Sequence, residues 1–523
     1  MNTIISLSPG LVAAGGTILL MGSGPSAGKS ITPPQKRPNI LFIVVDDLKP
    51  TLGCFGDPLA RSPNIDGLAQ SGTVFTGTYC QQAVSAPSRV SLFTGMRPDY
   101  TGVWDLQTFM RDVHPDILTL PQFMKKNGYT TRGFGKLIHG ARNNDRPSWS
   151  SPVIKDEELA YASGYDFPAN GHYQSPEAQE VYHEALRKNF NWRQTTDLMK
   201  ERGVAPAVEF LDVPDDAYAD GAIANAGIQA LEEFSNSDKP FFLALGFHRP
   251  HLPFAAPLKY WNLYEDTPFR MNPFQEHAAH SPDLAYTTWG ELRSYSDIPA
   301  KGDLDEEKQI QLIRAYYSCV SYVDAQIGKV LQSLKSLGMA DNTIIILWGD
   351  HGWHLGDHGL WCKHTNFEQA THAPLIISAP GYPANQQTSS LAEFIDLFPT
   401  ITELTHLKTP ATLQGMSLVP LLKDPAGMVK EYAISQYPRN NGIMGYSLRN
   451  DRYRLTVWIS DDYRSTRSFD PRQVKAVELY DYQEDPMETE SKADLPAYQA
   501  VRESLMEQLM DYFKSQIRVE QDH

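Results

Sequence analysis

Short apolar runs punctuate an otherwise polar chain. They are NILFIVV (39–45), FFLALGF (241–247), TIIILWG (343–349) and PLIISA (374–379), with a weaker YTTRGFG at 129–135. Most are rich in β-branched or aromatic residues and show no polar alternation, the pattern of parallel strands covered on both faces. Helical patterns lie between them, most clearly over 305–337. Strands alternating with helices predict an α/β domain whose mostly parallel central sheet is flanked by helices. Residues 140–240 are polar and rich in Asp, Asn, Pro and Tyr, and they predict insertions and loops around a cleft. From about Glu431 the texture changes. YAISQYPR, GIMGYSLRND, RYRLTVWI and AVELYDYQEDP predict an antiparallel meander with turns at Asn440-Asn441-Gly442 and Asn450-Asp451. The amphipathic 493–517 closes the chain as a helix. The predicted organisation is a leader over 1–31, a main α/β domain over 38–428, and a smaller C-terminal α+β subdomain over 429–523.

The chemistry-bearing residues follow the predicted strands. Asp46 and Asp47 follow the first run, His248 the second, and Asp350 and His351 the third. Lys136 and His139 follow the weaker strand. Open α/β sheets bind ligands beyond the carboxyl ends of their strands, so these side chains converge on one cleft. A solvated loop charge would explain any one of them alone. It does not explain all four strand ends.

Composition narrows the partners. The 523-residue chain carries a formal charge of −16, which argues against nucleic acid and long polyanions. An anionic substrate would need a local basic pocket, which favours small substrates or chain ends. Mean hydropathy is −0.38, which excludes a polytopic membrane protein. The apolar opening MNTIISLSPGLVAAGGTILLMGSG resembles the core of an export signal, and its Pro and Gly residues make it a poor spanning helix. The expectation is an exported, periplasmic protein without stable membrane insertion. Cys54, Cys80, Cys319 and Cys362 show no paired spacing and predict neither a disulfide framework nor a structural zinc site.

Asp46, Asp47 and Asp350 offer hard oxygen ligands that suit a divalent cation such as calcium, with His351 as a softer fourth. The density of His354, Asp357 and His358 nearby leaves zinc as the lesser alternative. Arg89, Lys136 and Lys363, with His139 and His248, suit a tetrahedral oxyanion, either sulfate or phosphate. The stretch Ser85-Ala86-Pro87-Ser88-Arg89 allows two readings. Pro87-Ser88 could start a helix with Ser88 or a neighbour as its cap. Alternatively Ser85 and Arg89, four residues apart, share a helix face as nucleophile and anion clamp.

A resemblance decides between them. SAPSRVSLFTG (85–95) is similar to the signature of type I sulfatases, whose first position is a cysteine or serine converted to formylglycine. PNILFIVVDDLKPTLGCFGD, GKLIHG, GFHRPHLPF, GDHGWHLGDHG and HAPLIISAPG resemble the same family, in order, across 38–381. QQAVSAPSR, the histidine after Asp350, ISQYPR and IMGYSLRNDRYRLTVW point within it to enzymes that remove the 2-O-sulfate of a uronic acid. The resemblance implies an alkaline-phosphatase-like fold and an exo-acting sulfuric ester hydrolase of heparin, heparan, chondroitin or dermatan sulfate oligosaccharides. It implies Ca2+ held by Asp46, Asp47, Asp350, His351 and the residue-85 oxygen. Arg89 would stabilise formylglycine, and Lys136 and Lys363 would bind sulfate. His139 would lie beside formylglycine and His248 beside the leaving oxygen, with Trp353 against the sugar. Serine at 85 implies an anaerobic serine-type maturing enzyme as partner. The alternatives are a metal-dependent phosphatase or phosphodiesterase using Ser85 directly, and a non-catalytic glycan-binding relative.

Overall fold

The computed structural model describes residues 37–139, 145–460 and 469–521. The predicted leader lies outside them. Among the described residues no helix is long and apolar enough to cross a membrane.

The strands of the main sheet are β1 (Asn39–Val45), β2 (Thr73–Phe75), β3 (Thr130–Gly135), β4 (Phe241–Phe247), β5 (Thr343–Gly349), β6 (Leu375–Ser378) and β7 (Gln386–Thr388). They form a seven-stranded sheet in the order β7-β2-β6-β5-β1-β4-β3. The four central and edge strands β5, β1, β4 and β3 run parallel, as the unbroken apolar runs predict. β1 is buried along its whole length, with both faces covered. The PLIISA strand departs from expectation. β6 pairs antiparallel with both β5 and β2. A four-residue apolar run carries no record of its direction, and β2 and β7 were too short to stand out.

Four helices matter for the site: α1 (Ser85–Thr94), α2 (Ala219–Ser235), α3 (Glu306–Ser336) and α4 (Gln499–Gln521). α3 matches its predicted span closely, and the Asp305 side chain caps it by accepting from Lys308 N. The stretch 140–240 is more ordered than its polarity suggests. It contains helices at Pro176–Arg187 and Trp192–Glu201 and ends in α2, whose Ala- and Gly-rich face packs beside β4. Small residues let a helix lie close to the sheet without a strong hydrophobic signature.

The C-terminal meander forms the four strands β8 (Ala433–Arg439), β9 (Ile443–Arg449), β10 (Tyr453–Ser460) and β11 (Val474–Asp481), an antiparallel sheet in that order. Its own core includes Leu448, Leu455 and Val457 together with Leu505 and Leu509 of α4. Polar ties hold it to the rest. Ser435 Oγ donates to Cys80 O at 2.6 Å and Gln436 N to Gln81 O at 2.8 Å. Buried Glu393 receives Arg97 at 2.7 Å, Lys430 at 2.8 Å and the amide of Ile434 at 3.0 Å. These ties bring the end of β8 beside the loop that carries Lys363 and His364. The four cysteines are free thiols.

Candidate active site

The cleft lies where β1, β5, β4 and β3 end. Asp46 and Asp47 leave β1, Asp350 and His351 leave β5, and Lys136 leaves β3. At Gly246 on β4, an added Cβ would sit 2.0 Å from Lys136 O. Glycine there lets the backbone of Lys136 close on the sheet, where its amide donates to Gly246 O at 2.9 Å. Asp47 adopts a left-handed φ of 59°, uncommon for a non-glycine residue. The strained turn is held by its amide, which donates to Asp350 Oδ1 at 2.9 Å, and by Tyr316, whose hydroxyl donates to Asp47 O at 2.7 Å.

The two readings of the Ser85 stretch now separate. α1 begins at Ser85, with Val84 as its extended N-cap residue and no side-chain cap. Ser88 donates to Asp350 O instead of capping. Ser85 and Arg89 share one face and meet on one atom. Ser85 Oγ donates to Asp46 Oδ1 at 3.1 Å and Arg89 Nη2 donates to the same oxygen at 2.7 Å. Arg89 also donates through Nε to Asp350 Oδ2 at 2.8 Å, and so ties two strand ends together. Lys136 Nζ bonds the other oxygen of Asp46. Burial would raise the Asp46 pKa, but Lys136 and Arg89 outweigh it and hold the carboxylate well below its usual range.

Asp47 lacks that surplus. Burial lifts its pKa to about 7, against the opposing pull of Lys363 and His251. Lys363 Nζ lies 3.1 and 2.9 Å from the two Asp47 oxygens. His351 is fully buried, and burial lowers its pKa, so it is neutral. Its Nδ1 lies 3.0 Å from Gly352 O, which can only accept, so Nδ1 carries the proton. Nε2 therefore presents a lone pair with no hydrogen-bond partner, 3.3 Å from Asp47 Oδ1 and 3.5 Å from Asp350 Oδ2. A lone pair aimed between carboxylates is favourable when a cation lies among them. Asp47, Asp350 and His351 thus fit a divalent metal, with Asp46 next in line.

His139 is held neutral. Burial first, then Lys136, pulls its pKa down to about 3, and its Nδ1 has no partner. His248 is held by two acids. Its Nε2 pairs with Asp156 at 2.8 Å, and its amide donates to Asp220 at 2.6 Å. Burial works against its charge, but Asp156 raises its pKa. The histidine that faces the acidic centre is His251, which the sequence reading passed over. His251 Nε2 lies 3.8 Å from Asp47 Oδ2 and 3.1 Å from Glu291 Oε1. The charge of His251 also helps keep both Asp46 and Asp47 ionised.

Glu291 is the second residue missed. It is half-buried and bonds Lys363 Nζ at 2.9 Å. Burial opposes its charge, yet Lys363 and His251 hold its pKa well below the usual range. Trp353 also differs from expectation. It is 1% exposed, packed against Phe254 and Tyr316, with Lys363 Nζ 4.9 Å above its ring. An aromatic ring so enclosed supports the lysine rather than offering a face to a sugar. His354, Asp357 and His358 form a separate buried group: His354 pairs with Asp357 and, at 2.8 Å, with Thr365, and His358 donates to Glu488 O at 3.1 Å.

Comparison with known proteins gives the family. The sulfatase family model matches residues 38–407, and the model for the C-terminal part of N-sulphoglucosamine sulphohydrolase matches 356–515. Human iduronate 2-sulfatase is 33% identical over 519 residues, covering 86% of this chain and 90% of that protein. A sulfatase of Formosa agariphila is 33% identical over 446 residues, covering 82% of this chain and 80% of that protein. The solved structure of a 2-O GAG sulfatase superposes with a TM-score of 0.64 at 22% identity, covering 93% of each chain. The chain, with its acidic strand ends gathered on the helix that starts at Ser85, belongs to the sulfatase family.

Proposed function

We propose that this sulfatase removes the 2-O-sulfate from a uronic acid at the non-reducing end of a glycosaminoglycan oligosaccharide. The observation that carries the reading is the convergence of Ser85, Arg89 and Lys136 on Asp46, beside a buried set of metal-type donors. The kinship with iduronate 2-sulfatases supports the substrate class.

Oxidised to formylglycine by a serine-type maturing enzyme, residue 85 would supply a hydrated aldehyde, able to accept a sulfuryl group and then expel it, where plain serine would stop at an ester. A divalent ion at Asp46, Asp47, Asp350 and His351, calcium by the hardness of the donors, would supply Lewis acidity there. The chain's own residues do the rest. Arg89 fixes Asp46 against Asp350 and so sets the direction in which the residue-85 oxygen points. Lys136 and Lys363 are the cations of the site, each placed on an aspartate where it would offset charge on a sulfuryl oxygen. His139, neutral and with an unpartnered Nδ1, is too weak a base to keep a proton, so it would accept a hydrogen bond from the residue-85 diol while the proton released as sulfate leaves passes to water. His251 donates a proton from Nε2 to the departing sugar oxygen. It displaces His248 from that role because Asp156 holds the His248 ring. His248 and Asp156 instead brace the loop that carries His251.

Two outcomes follow. Protein stripped by a chelator loses sulfate release and regains it with calcium, and calcium also raises its thermal midpoint, since a ligand that binds only the folded state stabilises it. Recovery with zinc and none with calcium contradicts the hard-donor assignment. The substrate reading is tested with size-defined oligosaccharides carrying 2-O-sulfated uronates at the end and inside. An acidic surface around a small basic pocket repels long polyanions. Only the terminal 2-O-sulfate is released, and a cap on the non-reducing end stops the reaction. Equal release from capped chains contradicts exo-action.

A further inference from the structure

A cavity of about 400 Å³ opens next to this site, between the start of α1 and the end of β8. Val84, which precedes Ser85, and His364, which follows Lys363, form one side. Trp104, Tyr437, Arg439 and Asn440 help form the rest. Nothing in the mechanism above uses it.

Arg439 is the unusual member. Its guanidinium donates to Leu284 O at 2.7 Å, His364 O at 3.0 Å, Pro438 O at 3.1 Å and Ala285 O at 3.2 Å. All these partners are neutral carbonyls, and they leave one of its five N–H groups over. Among the described residues no carboxylate pairs with it. Glu478 lies beyond the Trp458 ring, which Arg439 covers at 5.0 Å. That acid is spent on Trp458 and Tyr480, and burial lifts its pKa to about 7. The acid on the cavity's other side, Asp105, accepts from the amides of Gln107 and Thr108 on its own loop at 2.9 and 2.6 Å. Burial accordingly pulls the Arg439 pKa down to about 10, so it stays charged at neutral pH without a partner. A half-buried cation held only by neutral carbonyls and ring faces is one that an anion would complete. The ring of Tyr437 lies 5.0 Å from the Arg439 guanidinium and 5.9 Å from His364, giving an aromatic wall beside that charge.

We infer that this cavity is a subsite for the sugar linked to the sulfated uronate, with Tyr437 against the ring and Arg439 reading an anionic substituent on it. The inference rests on the proposed uronate 2-O-sulfatase activity. Its anion is a sulfate group on the neighbouring amino sugar, carried on nitrogen or on O6. The volume suits one or two sugar rings, and the charge explains how an acidic protein selects a doubly sulfated fragment.

The test uses matured protein and 2-O-sulfated uronate–glucosamine disaccharides whose glucosamine is N-sulfated, 6-O-sulfated, or N-acetylated without sulfate. A charge-assisted contact predicts kcat/KM for 2-O-sulfate release at least about tenfold higher for one sulfated form than for the N-acetyl form. Which of the two leads identifies the substituent that Arg439 meets. Added salt narrows the ratio. Arg439→Gln brings the ratio close to one, and Arg439→Lys keeps part of it. A ratio near one in the unaltered protein overturns the subsite, as does a preference that survives in Arg439→Gln. If Arg439→Gln does not fold, the unaltered protein's ratio and the Arg439→Lys variant decide the matter. Loss of the N- or 6-O-sulfate in place of the 2-O-sulfate would instead overturn the uronate reading, and the subsite with it.

Discussion

Protein whose residue 85 stays a serine will release sulfate roughly 10³-fold or more slowly than matured protein, the scale on which loss of a nucleophile acts. The geometry gives the reason. Ser85 is 2% exposed and its Oγ donates to Asp46, which Arg89 and Lys136 keep ionised. An acceptor of that kind can orient the hydroxyl but is a poor base, because its proton affinity is low. His139 is neutral but cannot rescue a serine, because a sulfated serine has no second hydroxyl to expel its ester. Matured protein should show a residue-85 peptide about two mass units lighter than the serine form, the loss of two hydrogens on oxidation at a nucleophile site. The rate should rise in proportion to the lighter fraction. A full rate with unmodified serine would mean direct displacement and a different mechanism.

His251→Ala will lower turnover of a sugar sulfate by roughly 10²–10⁴-fold, the usual worth of a general acid. The loss should be far smaller with an aryl sulfate, whose leaving oxygen needs little protonation. His248→Ala should cost less than His251→Ala and show no such dependence on leaving group, since His248 acts through Asp156 and the loop. A leaving-group-dependent loss in His248→Ala, with none in His251→Ala, would reverse the two assignments. The aryl substrate also guards against misreading a folding defect, because a damaged site would fail on both substrates.

The contrast between these two histidines shows what the residue pattern reveals. GFHRPHLPF places both beyond the strand that becomes β4, and strand ends are readable from apolar runs. Which ring turns inward is not, since it depends on Asp156 and Glu291, distant in sequence. His251 N donates to His248 O at 2.9 Å, so a tight turn separates the two side chains. Asp46, Asp47, Asp350 and Lys136 are expected at one cleft because each lies within two residues of a strand end, and the structure brings them together. Glu291 follows no strand and reaches Lys363 only through the loop between β4 and α3. Trp353 follows the same logic: its position beside His351 is evident, but the burial of its ring comes from Phe254 and Tyr316. The fold followed the same rule. Long buried strands and α3 were evident, whereas the reversed β6 and the small-residue helix α2 depend on neighbours remote in the chain.

The most direct test of the account is positional. Matured protein would be given three isomeric disaccharides, each with one sulfate: on O2 of the uronate, on O6 of the glucosamine, or on its nitrogen. Mass spectrometry of the products and the sulfate released would report which sulfate group is removed. The account predicts release from the O2 isomer and, at equal protein and time, essentially none from the others. Preferential release from the O6 or N isomer would contradict it.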